Sequence, residues 1–213
     1  MDFNFKLKEP RKSNWNKKKT QTVVGMGMLT ALVAVLQVFA SGIRLGPFSI
    51  TLTLVPIIIG AALYGWKAGA LLGFVFGAIV MFTPDVAAFM AISVPATLVT
   101  VLLKGTLAGL CAGLLYSLIE KKNRTAAVIV SGIAAPIVNT GVFLLGCFMF
   151  FMEIVHGLAA AWAAEKGIAE NVLLYVIVGM VGWNFLVELA INLMLSSAIV
   201  FIIKLVKGRI KAI

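Results

Sequence analysis

Residues 95–119 read PATLVTVLLKGTLAGLCAGLLYSLI, twenty-five residues in which Lys104 is the only charge. As an α-helix this stretch is about 37 Å long at 1.5 Å per residue, enough to cross the roughly 30 Å of hydrocarbon in a bilayer. The pattern recurs along the chain. Apolar runs fall at roughly 21–43, 47–65, 66–83, 95–119, 125–152 and 172–203, with short polar breaks between them. The expected fold is an all-α integral membrane protein with six transmembrane helices in one domain. Residues 1–20 form a basic tail before it and residues 208–213 a second tail after it. Composition agrees: 62% of residues are hydrophobic and 12% charged, and the mean hydropathy of +1.08 excludes an ordinary soluble domain.

The formal net charge of +10 could suggest nucleic acid, but the position of the charges points elsewhere. Fifteen of the eighteen basic residues fall on one side of the expected spans: seven within the first nineteen residues, then Lys67, Lys121, Lys122, Arg124, Lys204, Lys207, Arg209 and Lys211. The opposite loops hold Arg44 and Lys166 against Asp85, Glu153, Glu165 and Glu170. The positive-inside rule therefore puts both termini in the cytoplasm. The basic tail serves as a topology signal that also meets anionic lipid, and no nucleic-acid partner is expected. The charged start is not followed by a small-residue cleavage site, so the first span is expected to be retained. Cys111 and Cys147 lie within expected spans without a pairing pattern and read as buried thiols.

Small residues mark helix contacts. Gly65, Gly69, Gly73 and Gly77 recur every fourth residue, as do Gly105, Gly109 and Gly113. Such stripes let backbones approach closely where no hydrophobic force operates between helices. Packing within this chain is favoured over packing against another subunit. In the first span, Gly27 and Ala31 are four apart, as are Thr30 and Ala34, giving a further small-residue face. Pro56, Pro95 and Pro136 fall in or at the ends of spans, where irregular backbone borders cavities. The outer segments 84–95 and 153–171 exceed what a turn needs, and the second can form a short interfacial helix. Either can act as a lid or as a passive connector.

Counting from the cytoplasmic charge that ends each span places the intramembrane polar residues. Lys104 lies 16 residues from Glu120, Asn139 lies 15 from Arg124, and Glu188 lies 16 from Lys204. Each is roughly 22–24 Å from the inner boundary. Thr51 is 16 from Lys67, Gln37 is 18 from Lys19, and Asp85 is 18 from Lys67. A polar layer therefore forms at one outer depth. A charged side chain at a helix centre costs about 2.5–3.5 kcal/mol on insertion scales, so these groups face the bundle interior. On the last span Asn184, Glu188 and Asn192 form one stripe at four-residue spacing. Two arrangements explain the charges. One is a buried Lys104–Glu188 pair, with Asn139 and Asn184 completing its hydrogen bonds. The other is an outward-facing pocket in which Lys104 meets an anionic group while Asn139, Asn184 and Glu188 bind polar ones. Arg44 reads as a solvated loop residue that adds positive potential.

The lone histidine, His156 beside Glu153, is not a metal site. No HExxH, no clustered carboxylates and no phosphate-binding GxxxxGK[ST] occur, so neither catalysis, a metal nor a cofactor is expected. The chain resembles the substrate-binding S-components of energy-coupling factor (ECF) vitamin transporters. The basic amino terminus leading into GMLTALVAVLQ carries the resemblance, with RLGPFSITLTLVPIIIGAALYGWKAGALLGFVFG and LLKGTLAGLCAGLLYSLIEKKNR. It implies that residues 21–207 form a solute-binding bundle in a prokaryotic cell membrane. The chain would capture a vitamin, hydrolyse nothing itself, and associate with a transmembrane coupling subunit and two cytoplasmic ATPases. It would tip within the membrane to release its solute. The family's AxxxA contact motif on the first helix is matched here only by the pairs Gly27/Ala31 and Thr30/Ala34. Among subfamilies the chain is most similar to the pantothenate type, ahead of riboflavin, folate and cobalamin types. Flat riboflavin rings would call for a more aromatic lining than the polar layer offers. A rival expectation is a stand-alone ion-coupled carrier with Glu188 as its proton site.

Overall fold

The computed structural model describes residues 12–44 and 48–211. Of the basic tail, Lys6, Lys8 and Arg11 lie outside the described residues, as do the last two residues of the chain. Of the described residues, 86% are helical. Its helices are α1 (Lys12–Ala40), α2 (Leu54–Tyr64), α3 (Trp66–Val80), α4 (Ala87–Ile92), α5 (Val94–Ile119), α6 (Arg124–Phe150), α7 (Met152–Lys166), α8 (Val172–Leu174) and α9 (Gly182–Lys211). A one-turn 3-10 segment, Pro84–Val86, leads into α4, and a π-helical segment, Tyr175–Met180, joins α8 to α9. An antiparallel bridge between Arg44 and Ser49 is the one extended pairing among the described residues.

Among the described residues, four helical stretches are long and apolar enough to cross a membrane: Lys19–Ala40, Val94–Ile119, Arg124–Phe150 and Val172–Gly208. A fifth follows if Trp66–Val80 and Pro84–Ile92, bent by 76°, count as one span. The helix expected over 47–65 is confined to Leu54–Tyr64, about 16 Å long. Pro56 accounts for its start. Proline lacks an N–H and clashes with the carbonyl four residues back, so it is tolerated in a first turn but not further in. Residues 48–53 before it are not helical. The expected loop over 84–95 is largely helical and leaves α3 at an angle of 76°. The segment 153–171 holds α7, and the last run is interrupted by the π-helical turn.

The glycine stripes of α3 and α5 pack against each other. A Cβ on Gly73 would overlap the carbonyl oxygen of Gly105, and one on Gly69 would overlap that of Gly109; the reverse substitutions collide in the same way. A Cβ on Gly77 would likewise lie 2.7 Å from the Val101 carbonyl oxygen, and one on Gly113 2.6 Å from the Trp66 backbone. Gly65, at φ +93°, is the single residue connecting α2 to α3, a conformation that suits glycine. On α1, Val33, Gln37 and Ala40 are buried, whereas Gly27 and Ala31 are exposed and Thr30 and Ala34 half-buried.

Buried side chains form two apolar clusters. The larger joins α1, α2, α3, α5, α6 and α9 through residues such as Leu54, Ile57, Leu72, Phe76, Ala108, Tyr116 and Ile203. The smaller joins α4, the end of α6, α7 and the π-helical turn through Phe89, Cys147, Phe151, Val155, Tyr175 and Met180. Cys147 is buried and Cys111 half-buried. At the basic end of the bundle Lys207 Nζ donates to Glu120 Oε2 at 2.6 Å, tying α9 to the end of α5. The outer faces leave Met28, Phe39, Leu118, Met149, Met194 and Phe201 exposed, an apolar surface suited to lipid.

Gly73→Ala should lower stability in detergent by about 1–3 kcal/mol, the usual cost of overpacking. Gly27→Ala, with nothing within 4 Å of the added methyl, should leave the melting temperature unchanged. Equal melting of the two variants would contradict the assigned helix contact.

Candidate functional site

A cavity of about 730 Å³, its open mouth included, draws its lining from both apolar clusters. Gln37 of α1, Asp85 of the 3-10 turn, Lys104 of α5, Asn139 of α6, and Asn184 and Glu188 of α9 all line it. Thr51 joins them from the non-helical segment before α2. The residues singled out by depth along the chain are thus brought into one space. Asn192, on the same α9 stripe, is not part of the lining; it is buried nearer the basic end.

Of the two arrangements the sequence allowed, the Lys104–Glu188 ion pair is not formed: among the described residues no carboxylate lies within 4.0 Å of Lys104. Glu188 is occupied elsewhere, its Oε1 accepting from the Thr51 backbone N–H at 3.0 Å. The Lys104 ammonium lies 5.0 Å from the Phe143 ring centroid and 5.9 Å from that of Phe76, within cation–π range of both. Arg44 is not merely solvated. Its Nη2 donates to Asp85 Oδ1 at 3.0 Å, and Ser49 Oγ donates to Asp85 Oδ2. Asn184 Nδ2 donates to the Phe48 carbonyl at 3.1 Å. Residues 48–51 are therefore held to α9 on one side and to the 3-10 turn on the other. His156 approaches Glu170 at 3.7 Å rather than Glu153.

Several buried polar atoms of the lining have no hydrogen-bond partner within the protein: Gln37 Oε1, Thr100 Oγ1, Asn139 Oδ1, Asn184 Oδ1 and Glu188 Oε2. Buried polar groups without partners are rare because each costs about 1–3 kcal/mol. Their concentration around one cavity makes it a site that a polar solute can satisfy.

The lining is also more aromatic than expected. Phe48, Phe76, Phe89, Phe143 and Phe151 all contribute. Phe143 meets Phe48 edge-on at 5.2 Å and Phe89 at 5.8 Å, while Phe151 meets Phe89 at 5.1 Å. These rings come from separate segments with no common spacing, so sequence offered no signal for them. Thr97 and Thr100 were missed as well, although a signal existed: they precede Lys104 by seven and four residues and so share its helix face.

A polytopic helical membrane protein with a charged and aromatic cavity open at its mouth is the class that fold and site define. The chain belongs to the family of ECF transporter substrate-specific components, whose model matches residues 21–203. It is a transporter subunit, not an enzyme. Members of this family work with a coupling subunit and ATPases. No curated protein and no solved structure matches the chain.

Asp85→Asn weakens the Ser49 contact that holds residues 48–51 to the 3-10 turn, and with it the Arg44 contact. Backbone amides of residues 48–53 should exchange hydrogen faster in this variant, with α3 and α5 unchanged. Unaltered exchange would show that Asp85 does not restrain this segment.

Proposed function

We propose that this protein is the high-affinity solute-binding subunit of an ATP-driven ECF importer in a prokaryotic cell membrane. Its spans number six, with both termini cytoplasmic: α2 with the non-helical stretch before it makes the second crossing, and the bent pair of α3 and α4 the third. The basic ends of the helices face the cytoplasm and the Asp85 end faces outward. The observation that carries the function is the cavity itself, where an unpaired Lys104 and several unpartnered buried oxygens surround a space suited to a small molecule.

In this reading Lys104 binds an anionic group, and Gln37, Asn139, Asn184 and Glu188 bind hydroxyl and amide groups. Asp85 closes the rim. Pantothenate fits this chemistry first: it has a carboxylate for Lys104, an amide and two hydroxyls for the polar side chains, and a dimethyl-substituted carbon for the phenylalanines. The five phenylalanines favour a second reading, a vitamin with a flat ring such as riboflavin or folate, whose ring would lie against them. The partners are a transmembrane coupling subunit and two cytoplasmic ATPases. Gly27 and Ala31, with Thr30 and Ala34 at their flank, form the coupling-subunit contact, supported by the exposure of the first two on the outer face of α1.

Calorimetry against a vitamin panel should find one tight ligand, and Lys104→Met should weaken an anionic ligand at least tenfold while the variant still purifies as a single species. Unchanged affinity would remove Lys104 from the site. Uptake should require ATP and a co-purifying coupling subunit. Uptake without them that followed a proton gradient alone would favour an ion-coupled carrier using Glu188.

A further inference from the structure

Three buried oxygens beside the cavity toward the basic end have no hydrogen-bond partner within the protein: Glu188 Oε2, Asn192 Oδ1 and Thr53 Oγ1. Their residues are 4%, 2% and 0% exposed. Neither Thr53 nor Asn192 lines the cavity, so solute recognition does not account for them.

Topology puts the three on neighbouring segments. The Thr51 N–H bond to Glu188 pins the segment before α2 to α9 at that level. From this contact both segments run toward the basic end. Thr53 is two residues along, at most about 7 Å of chain, and Asn192 is about one helical turn along, roughly 6 Å. Helices α2 and α9 are in contact, so the two residues share a level on neighbouring elements. Asn192 also packs on α6, where a Cβ on Gly132 would lie 3.7 Å from its own. Asn139 of α6, 5% exposed and with Oδ1 unpartnered, lies on the cavity side.

The donor set is all oxygen, with one carboxylate and neutral amide and hydroxyl groups. Hard oxygen ligands select hard cations, and a single carboxylate matches a single positive charge better than two. A carboxylate at this depth without a partner cation is costly, and no lysine or arginine reaches Glu188 within 4.0 Å among the described residues. The positive end of α2 opposes a cation here, which makes the site weak rather than tight.

We propose that Thr53, Glu188 and Asn192 hold a monovalent cation of the alkali series. Glu188 belongs both to this subsite and to the cavity, so cation and solute binding are linked, each altering the affinity of the other by the same factor.

The test uses the purified full chain without added solute, melted in choline chloride and then in sodium, potassium or lithium chloride at equal ionic strength. One alkali cation should raise the melting temperature saturably, by roughly 2–4 °C, and choline should not. Asn192→Leu and Thr53→Val should each abolish that difference while remaining monodisperse; if the first fails to fold, the second carries the test. Equal melting in all four salts, the result expected for an ordered water alone, overturns the proposal. So does a cation-specific shift that both variants retain. Pantothenate and riboflavin binding, measured by calorimetry in the stabilising salt and in choline, tests the linkage. A difference in affinity supports it and equal affinity contradicts it. A cation shift in a protein that binds no member of the vitamin panel would overturn the solute reading and leave the cation site standing.

Discussion

The approach of α3 to α5 sets the position of everything at the centre of this protein. Within a bilayer apolar side chains gain nothing by leaving lipid for one another, so helices hold together by close van der Waals contact. Here the glycines of each helix face carbonyl groups of the other. This contact places its flanking residues as well. Phe76 precedes Gly77, and Lys104 precedes Gly105, so both side chains leave the seam where the backbones are closest and enter the cavity. The Lys104 ammonium then lies beside the Phe76 ring. A bulkier seam would move the charge and its aromatic support together.

A second constraint follows from the first. Glycine-seamed helices and the larger apolar cluster fill the half of the bundle nearer its basic end, while α7 and the π-helical turn cover a smaller cluster at the other end. The charged and polar side chains that line the cavity gather in the gap between the two. Within that gap the chain departs from regular helix at residues 48–53 and near Tyr175–Met180. Irregular backbone at depth is tolerated where side chains satisfy its hydrogen-bonding groups. Glu188 does so for Thr51, and Asn184 for Phe48. The same two residues keep further oxygens unpartnered at the cavity, so they serve the fold and the site together.

Much of this was legible in the sequence. Helices in a membrane have a fixed rise, so residue counts from charged ends convert directly into depth. That is why Gln37, Thr51, Asp85, Lys104, Asn139 and Glu188 could be gathered into one layer from the sequence, with Asn184 one helical turn from Glu188 on the same stripe. The glycine period likewise disclosed the seam, because one residue in four defines a helix face. Depth says nothing about angle around the bundle axis, however. Lys104 and Glu188 share a level without pairing, since Glu188 faces Thr51 and Lys104 faces two rings. The phenylalanine wall was hidden for the same reason: its members come from five segments, and only tertiary packing turns them inward. The truncated α2 was foreshadowed by Pro56, but hydropathy alone cannot distinguish an apolar extended segment from an apolar helix.

The central claim is that the cavity between the two clusters holds a small molecule. Mass spectrometry of molecules released from the protein, purified gently from cells grown in rich medium, tests it most directly. One vitamin-sized compound should appear in near-stoichiometric amount, bearing an anionic group together with hydroxyl or amide donors. Recovery of lipid and detergent alone, from protein shown to be folded and free of competing washes, would contradict it.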